Sequence, residues 1–549
     1  GSLTMNAGSA VFHLSSSAAS GNDQVAVSGG LTFSGISTLQ IAPLAFMNVG
    51  DVYTLFTYTG TALPSTVTNN LQVTAPTGFA FSIVDPATTP GAIKIHVDKA
   101  IGNELWTGQS SSTWDTSAIN WNRNSTATAF NNGDYVNFDD STLVTNVNLS
   151  GALQVGNITM NNNSEAYHFG GSGHLTGSGG LLLSSGGSLT LANTGSNDFT
   201  GPITISSGTL QLGDGGVGGN LGSGVITNNG SLVFNHSDTN LVLNNTITGF
   251  GGVVNNGTGE VTLGGANSFG GEVDILQGTL KAGSSTALGD IYGQTVVSSG
   301  ASLDIANVAN LSKEVITVSG SGVGGNGAIV NNSGSSTFVG QNLGTVYLND
   351  NVTVGGSGRL DFRASSATAQ DAILLAGAPY SLTKTGTNLF QIAGVQIDPS
   401  LGDINVQAGI LGFQWQTSLG NASYNLTVSS NASLAFFDMS NSVSKVLILD
   451  DGANVLAQHG DANVFTGPTT LMGTGTFNVS SGTLTFADQI SGAGSLVKTG
   501  GSTLILSTGP ESYAGNTYVN GGVLALMDGA DLTNTPSIVL SNATIDVSG

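Results

Sequence analysis

Single apolar residues alternate with Ser, Thr and Asn along most of this chain, in short units separated by Gly and Asn clusters. Gly187-Ser188-Leu189-Thr190-Leu191 and Gly208-Thr209-Leu210-Gln211-Leu212 are typical units. A period of two indicates strands with one buried face, and Gly and Asn supply the positive φ angles of tight turns. Helical periodicity is nearly absent, so the pattern predicts an all-β protein.

A fixed spacing recurs three times among these units. An aromatic residue is followed two residues later by Gly, nine residues later by a second Gly and eleven residues later by Leu. The positions are Phe199, Gly201, Gly208, Leu210, Phe269, Gly271, Gly278, Leu280, Tyr513, Gly515, Gly522 and Leu524. Recurrence at a fixed period predicts coils that stack like residues on like residues, so we interpret these positions as structural.

The repeats predict a parallel β-solenoid over residues 104–549, with roughly 20–25 residues in each coil. Residues 1–103 are predicted to form a smaller β-rich module at the N-terminal side. Within that module, residues 36–100 are richer in Pro and in long apolar runs, which indicates a possible side domain.

The repeat stretches resemble a known family, the autotransporter-associated β-strand repeat. The matching stretches are 187–212, 259–282, 499–524 and a weaker copy at 381–411, in which Ser400 replaces the aromatic residue. Trp106-Thr107-Gly108, Trp114-Asp115, Asn120-Trp121 and Phe138-Asp139-Asp140 also resemble the segment that opens a unit in large members of the family. The resemblance implies a right-handed parallel β-helix in a secreted bacterial surface protein.

Composition and charge narrow the function classes. The chain has 10 Lys and Arg against 33 Asp and Glu, a formal charge of −23, which disfavours nucleic acid as a partner. It has no Cys, which excludes disulfides and is consistent with export in an unfolded state. The acidic charge and the lack of Cys favour an extracellular or cell-surface location. No stretch of about 18 apolar residues occurs, so we expect no membrane-spanning helix.

Catalysis on a β-helix requires carboxylates that converge on one face. The candidate pairs are Asp139 with Asp140 and Asp450 with Asp451. Adjacent residues on a strand point to opposite faces, so neither pair forms a dyad alone. We therefore predict that the protein is not an enzyme.

One charge cluster and one loop remain as candidate sites. Arg359, Asp361 and Arg363 share a strand face and contain two of the ten basic residues, which suggests an ion pair between coils or between subunits. The loop 215–220 has the glycines of a calcium-binding nonapeptide, but the motif is not tandem and Asn220 stands in place of Asp. We expect no cofactor, with calcium as a weak possibility at this loop.

The function predicted from these observations is an extracellular structural fibre. Residues 1–5 and 538–547 have the pattern of ordinary strands instead of polar caps, which predicts head-to-tail assembly of the chain with itself. A chain that is a window of a longer polypeptide explains the same pattern. The alternatives are an adhesin that binds carbohydrate or host protein, favoured by an exposed aromatic row near 104–140, and a polysaccharide-degrading β-helix enzyme.

Overall fold

The computed structural model describes residues 1–311, 314–338, 340–459 and 462–549. It is nearly all β, with 2% helix, and forms a parallel β-solenoid of about 18 turns. This confirms the predicted fold class.

Contacts divide the chain into two compact units. The first contains residues 1–214 and 218–225, and the second contains residues 215–217 and 226–549. The boundary predicted between residues 103 and 104 lies inside the first unit.

The first unit begins with short strands and two 3-10 helices, Ser65–Asn70 and Pro86–Thr88. Its strands are Leu3–Met5 (β1), Ser9–Leu14 (β2), Val25–Val27 (β3), Leu31–Phe33 (β4), Ser37–Pro43 (β5), Val52–Tyr58 (β6), Leu71–Thr74 (β7), Ala80–Ile83 (β8), Ala92–Lys99 (β9), Asn103–Trp106 (β10), Thr113–Trp114 (β11), Trp121–Arg123 (β12), Thr126–Thr128 (β13), Tyr135–Phe138 (β14), Asn146–Leu149 (β15), Ala152–Gln154 (β16), Asn157–Met160 (β17), Ala166–Gly171 (β18), His174–Thr176 (β19), Leu181–Leu183 (β20), Ser188–Leu191 (β21), Ile203–Ile205 (β22) and Thr209–Leu212 (β23).

Parallel pairing already operates in the predicted N-terminal module. Strand β1 pairs with β4, β2 with β5, β5 with β7, and β3 with β6, all in parallel. Strand β9 then adds antiparallel to β6 and to β8. Residues 36–100 therefore combine coil strands with an antiparallel elaboration.

From β10 onward the first unit contains two main parallel ladders. One runs β10, β14, β17, β20, β22, and the other runs β11, β15, β18, β21, β23. Strand β12 pairs antiparallel with β10, and β13 pairs antiparallel with β12. The register places Ile158 opposite Leu181 and Leu181 opposite Ile203, so a coil here takes 22 or 23 residues.

The second unit has one 3-10 helix within the described residues, Val323–Gly325. Its strands are Ile226–Asn228 (β24), Ser231–Phe234 (β25), Leu241–Leu243 (β26), Ile247–Thr248 (β27), Gly252–Asn255 (β28), Glu260–Leu263 (β29), Val273–Ile275 (β30), Thr279–Ala282 (β31), Gln294–Val297 (β32), Ser302–Asp304 (β33), Val315–Gly320 (β34), Ile329–Asn331 (β35), Thr345–Gly356 (β36), Leu360–Arg363 (β37), Ile373–Ala376 (β38), Leu382–Lys384 (β39), Leu389–Ala393 (β40), Gln396–Ile397 (β41), Ile404–Val406 (β42), Ile410–Trp415 (β43), Asn425–Val428 (β44), Ser433–Met439 (β45), Val446–Leu449 (β46), Asn454–Ala457 (β47), Ala462–Phe465 (β48), Thr469–Leu471 (β49), Gly475–Val479 (β50), Thr483–Phe486 (β51), Ile490–Gly492 (β52), Leu496–Thr499 (β53), Thr503–Leu506 (β54), Thr517–Val519 (β55), Gly522–Leu526 (β56), Ile538–Leu540 (β57) and Ala543–Asp546 (β58).

Each face of a coil in the second unit continues into the same face of the next coil. The sheet that starts at β37 runs β37, β40, β43, β45, β47, β50, β53, β55, β57, and the sheet that starts at β48 runs β48, β51, β54, β56, β58. The longest strand, β36, pairs with strands of two neighbouring ladders, including β34 and β35. All of these pairings are parallel.

Inward-facing residues stack coil over coil. Leu484 lies opposite Leu504, which lies opposite Leu524, and all three are fully buried. The residues between them along each strand are more exposed, as the period of two predicts. Burying one Leu side chain contributes roughly 1.5–3 kcal/mol, so the interior column is a main source of stability.

The aromatic positions of the repeat lie in the same interior. Phe199, Phe269 and Tyr513 are almost completely buried. The Asn or Glu two residues before each ring reaches back to the preceding coil: Asn197 accepts from the backbone N–H of Leu175, and Asn267 accepts from that of Ile247. The amide groups of both Asn side chains then donate to carbonyl oxygens of the following coil.

Glu511 occupies the corresponding position of the third copy. One carboxylate oxygen accepts from the backbone N–H of Ile490 at 2.6 Å, but the other is buried without a hydrogen-bond partner among the residues that the structure describes. Burial raises the pKa of Glu511 to about 7. When Glu511 is protonated, its carboxyl carries an O–H donor. That donor corresponds to the side-chain N–H groups of Asn197 and Asn267.

Two lysines also point into the stack. Lys384 and Lys498 each precede an x-Gly turn and each donate from Nζ to three carbonyl oxygens at 2.5–3.1 Å, two in the same turn and one in the next coil. Burial lowers the pKa of Lys384 to about 7 and that of Lys498 to about 8. The two ammonium groups supply hydrogen-bond donors to carbonyl oxygens of the turns, because buried carbonyl groups need donors.

Gly271 stands where neighbouring turns approach too closely for a side chain. A Cβ atom there would lie 2.3 Å from backbone atoms of Gly251, whereas one on Gly270 would lie no closer than 3.6 Å to another atom, Asp290 Oδ2. The corresponding repeat glycines are Gly201 and Gly515. A Cβ atom on them would lie 2.4 Å and 2.2 Å, respectively, from the nearest backbone atom.

We predict that Gly271→Ala destabilises the protein by about 3 kcal/mol, because backbone cannot move aside as a flexible side chain can. Gly270→Ala is the matched control and is expected to change stability by less than about 0.5 kcal/mol. Urea unfolding followed by circular dichroism measures both. Equal midpoints for the two variants would contradict the close approach of the turns.

We predict that Glu511→Gln makes stability less dependent on pH. A carboxyl whose folded pKa is raised stabilises the fold fully below its unfolded pKa of 4.5, and that contribution is lost as the pH rises to about 7. The native chain should therefore lose up to roughly 1.4 kcal/mol per pH unit relative to the variant between pH 5 and 7.

The control for this prediction is Asp371→Asn. Asp371 is exposed, and hydrogen bonds from Ser365 lower the pKa of its carboxyl, so it does not titrate in this range. Urea unfolding at each pH gives the comparison. If the difference in unfolding free energy between the native chain and Glu511→Gln changes with pH no more than that of the control, Glu511 is ionised in the fold.

Candidate functional site

The Trp and Phe side chains of residues 104–140 are buried, and only Tyr135 of this segment presents an aromatic ring at the surface, so no exposed aromatic row forms. Trp106, Trp114 and Trp121 are at most 1% exposed, and the ring of Trp121 lies 5.0 Å from each of the other two. Phe138 packs against all three rings. The segment that resembles a unit opening is thus built around an aromatic core.

A buried charge network lies beside this aromatic core. The Arg123 side chain pairs with Glu104 and lies 3.2 Å from Asp134. Both carboxylates are completely buried, and burial raises the pKa of Asp134 to about 6. Backbone N–H groups of Gly102 and Asn131 also donate to Asp134. The network therefore stabilises the local backbone.

The second unit carries a groove of about 740 Å3, here called the acidic groove. Its lining residues are Asn267, Ser268, Ser285, Thr286, Leu288, Gly289, Asp290, Ile291, Asn310, Leu311 and Glu314. Glu314 is largely buried and accepts a hydrogen bond from Thr295. Burial, together with the nearby charge of Asp290, raises the pKa of Glu314 to about 8.

Exposed aromatic residues lie near the acidic groove. Phe250 is 88% exposed and Tyr292 is 86% exposed. The Phe250 ring and the Asp290 carboxylate both lie within 3.8 Å of the position that a Cβ atom on Gly270 would occupy. Tyr292 follows closely, with its backbone N–H donating to Asp290. The stacking of the coils does not require these rings.

The predicted charge cluster comes together on the outer face of β37. Arg359 donates to both oxygens of Asp361, at 2.8 Å and 3.0 Å, so this ion pair lies within one coil. Arg363 reaches two strands along its sheet, where it donates to Gln414 at 2.7 Å. Asp361 is completely buried, and burial raises the pKa of its carboxyl.

Two aromatic rings enclose Arg363. Its guanidinium carbon lies 4.6 Å from the ring centre of Phe338 and 4.6 Å from that of Trp415. Arg363 is 8% exposed, and its Nε has no hydrogen-bond partner among the described residues. Cation–π contacts of this kind contribute about 0.5–2 kcal/mol each and fix the orientation of the rings.

A second groove in the same unit opens at Trp415, and we call it the Trp415 groove. Its volume is about 560 Å3. Its lining residues are Ala367, Thr368, Trp415, Gln416, Asp438, Ser440 and His459. The carboxylate of Asp438 pairs with the imidazole of His459.

The backbone departs from the regular coil at this groove. Trp415 has φ 61° and Asp438 has φ 44°, and a register shift follows Gln414 where β43 pairs with β45. Left-handed conformations in residues other than Gly cost roughly 1–3 kcal/mol and gather at functional sites.

Sequence reasoning did not select this groove, because its residues are far apart along the chain. Trp415, Asp438 and His459 follow one another at intervals of 23 and 21 residues, about one coil each. That interval is the signal that was present, and the coil period brings the three side chains together.

One carboxylate of each predicted aspartate pair accepts hydrogen bonds from the backbone of a turn. Asp140 accepts from the backbone N–H groups of Asn163, Ser164 and Glu165, which lower the pKa of its carboxyl. Asp451 accepts from the backbone of Thr474.

In the loop predicted as a weak calcium candidate, Asn220 accepts from the backbone of Asn197. Within the described ranges, no group of three His, Asp or Glu side chains is placed to hold a metal ion. Calcium binding at this loop stays a prediction.

Comparison with known proteins explains the repeats. A family model described as passenger-associated-transport-repeat matches residues 181–212, 253–282 and 496–526, which contain the three aromatic positions of the predicted repeat. These three stretches are repeats of the autotransporter-associated type, as the sequence predicted. The adhesin BmaC autotransporter of Brucella suis biovar 1 (strain 1330) is 37% identical over 105 residues, which are 16% of this repeat protein and 3% of the relative. No solved structure matches the chain.

The repeats and the similarity to an autotransporter adhesin indicate a secreted or surface protein. In the part of the repeat protein that the structure describes, no helix is both long and apolar enough to cross a membrane.

Proposed function

We propose that this chain is part of an extracellular adhesive passenger, in which the β-solenoid is a non-enzymatic scaffold and its lateral surface contacts the target. The observation that carries this proposal is the pair of open grooves in the second unit. Each groove has aromatic side chains in or near it that the interior stack does not use. The similarity to a protein named an adhesin supports the same conclusion.

The lateral surface suits adhesion for a physical reason. Inward positions are committed to the interior stack, so changes in outward side chains alter recognition at little cost in stability. A formal charge of −23 keeps the chain soluble and repels polyanions, so the expected targets are neutral glycans or protein surfaces.

We predict that the purified, fluorescently labelled chain binds saturably to a panel of mammalian cells, immobilised glycans and matrix proteins, and that excess unlabelled chain displaces it. A variant with both Phe250→Ala and Tyr292→Ala tests the surface near the acidic groove, with the exposed Val217→Ala as control. No saturable binding to any member of the panel would contradict the adhesive function. Release of reducing ends from the glycans would favour the polysaccharide-degrading alternative, because the acidic groove holds Asp290 and Glu314.

Head-to-tail assembly into a surface fibre stays a prediction of the strand pattern. Electron microscopy of the purified chain at increasing concentration tests it. Uniform filaments that lengthen with concentration are expected if one coil continues into the next copy. Isolated particles at the highest concentration would contradict assembly and leave the adhesive function in place.

A further inference from the structure

We propose that the Trp415 groove binds a neutral pyranose ring of a glycan. This inference rests on the proposed adhesive function and adds a site and a ligand class to it. The argument depends on the ring of Trp415, the backbone that presents it, and the polar groups around it.

The Trp415 ring is held in position before any ligand arrives. Arg363 covers it at 4.6 Å and is itself fixed by Gln414 and by the ring of Phe338. The same Trp415 ring lines the groove. A fixed indole ring suits the apolar C–H face of a pyranose, because the face of an aromatic ring is electron-rich and attracts C–H groups. Little side-chain entropy then remains to be lost on binding.

The backbone conformation presents these side chains at a cost to the fold. In the ladder from β43 to β45, Trp415 lies opposite Met439, directly after Asp438. Trp415 and Asp438 are both left-handed, so two neighbouring coils carry the same kind of departure at the same place. A scaffold that needed only stability would have Gly or Asn at such positions.

Polar side chains surround the ring with donors and acceptors. Thr368 and Ser440 offer hydroxyl groups, Gln416 offers an amide, and Asp438 offers a carboxylate next to His459. A few placed polar groups around an apolar surface are typical of small-ligand sites, which have volumes of about 300–1,000 Å3. The volume of about 560 Å3 lies in this range.

The charge of the groove selects a neutral sugar over an acidic one. The described lining residues include no Lys or Arg, and they include Asp438. Arg363 lies behind the Trp415 ring and is enclosed by it and Phe338. A sugar carboxylate or sulfate would therefore meet Asp438 without a free cation to pair with it.

Tryptophan fluorescence can follow binding at this groove. The chain has four Trp residues, and three of them, Trp106, Trp114 and Trp121, are completely or almost completely buried in the first unit. Titration with neutral oligosaccharides of glucose, galactose, mannose and N-acetylhexosamines should change the emission of Trp415. Acidic oligosaccharides of uronic or sialic acids are the comparison.

We expect Trp415→Ala and Asp438→Asn to weaken binding of the neutral oligosaccharide at least tenfold. Asn tolerates the left-handed backbone of Asp438, so that variant keeps the fold. The controls are Met472→Ala, an exposed apolar side chain outside the groove, and Asp528→Asn, an exposed Asp with φ 51°. Both controls should bind like the native chain.

The outcomes separate the two proposals. Cell binding that persists unchanged in Trp415→Ala and Asp438→Asn would overturn the groove assignment and leave the adhesive function standing. Binding of acidic sugars alone, or equal loss in the Met472→Ala and Asp528→Asn controls, would also overturn the assignment. Absence of cell and glycan binding by the native chain would overturn both.

Discussion

The parallel backbone ladder between successive coils is the constraint on which this structure depends. It sets strands about 4.8 Å apart, so a residue in one coil lies directly on its counterpart in the next. The apolar column of Leu484, Leu504 and Leu524, one from each successive coil, is an example. Buried backbone groups at the turns need partners as well, and Asn197, Asn267 and the ammonium groups of Lys384 and Lys498 supply them.

The same ladder explains where functional chemistry can lie. Inward positions are occupied by the stack, and an ordinary outward position in a regular coil carries Ser, Thr or Asn. Sites therefore arise where the coil is irregular, as at Trp415 and Asp438, or where long side chains fold over the outer face, as at Arg359 and Arg363. Because neighbouring coils repeat the position, one irregularity extends over several turns.

The sequence was sufficient for the repetitive part of the fold. Alternating apolar residues such as Leu189 and Leu191 indicate a strand with one buried face. Three copies of one spacing indicate coils that stack in register. The twelve repeat positions lie in the interior or at the tight turns, as their residue types suggest. Their structural role stays a prediction until variants such as those at Gly271 are measured.

The sequence was insufficient for the sites. The sequence left open whether aromatic residues near 104–140 form an exposed row, and the three Trp rings there pack on one another instead. The Arg359 cluster was visible because its charges share one strand. The Trp415 groove was not, because its members lie a coil apart and because the outward turn of Trp415 depends on a register shift that no local pattern encodes.

Hydrogen exchange followed by mass spectrometry tests the central claim most directly. If the ladder carries the stability, amides of the inner strands from β43 to β54 exchange slowly and together, whereas amides of residues 415–416 and 438–440 exchange faster. Fast exchange throughout β43 to β54, with protection only in isolated segments, would contradict a continuous stack of coils.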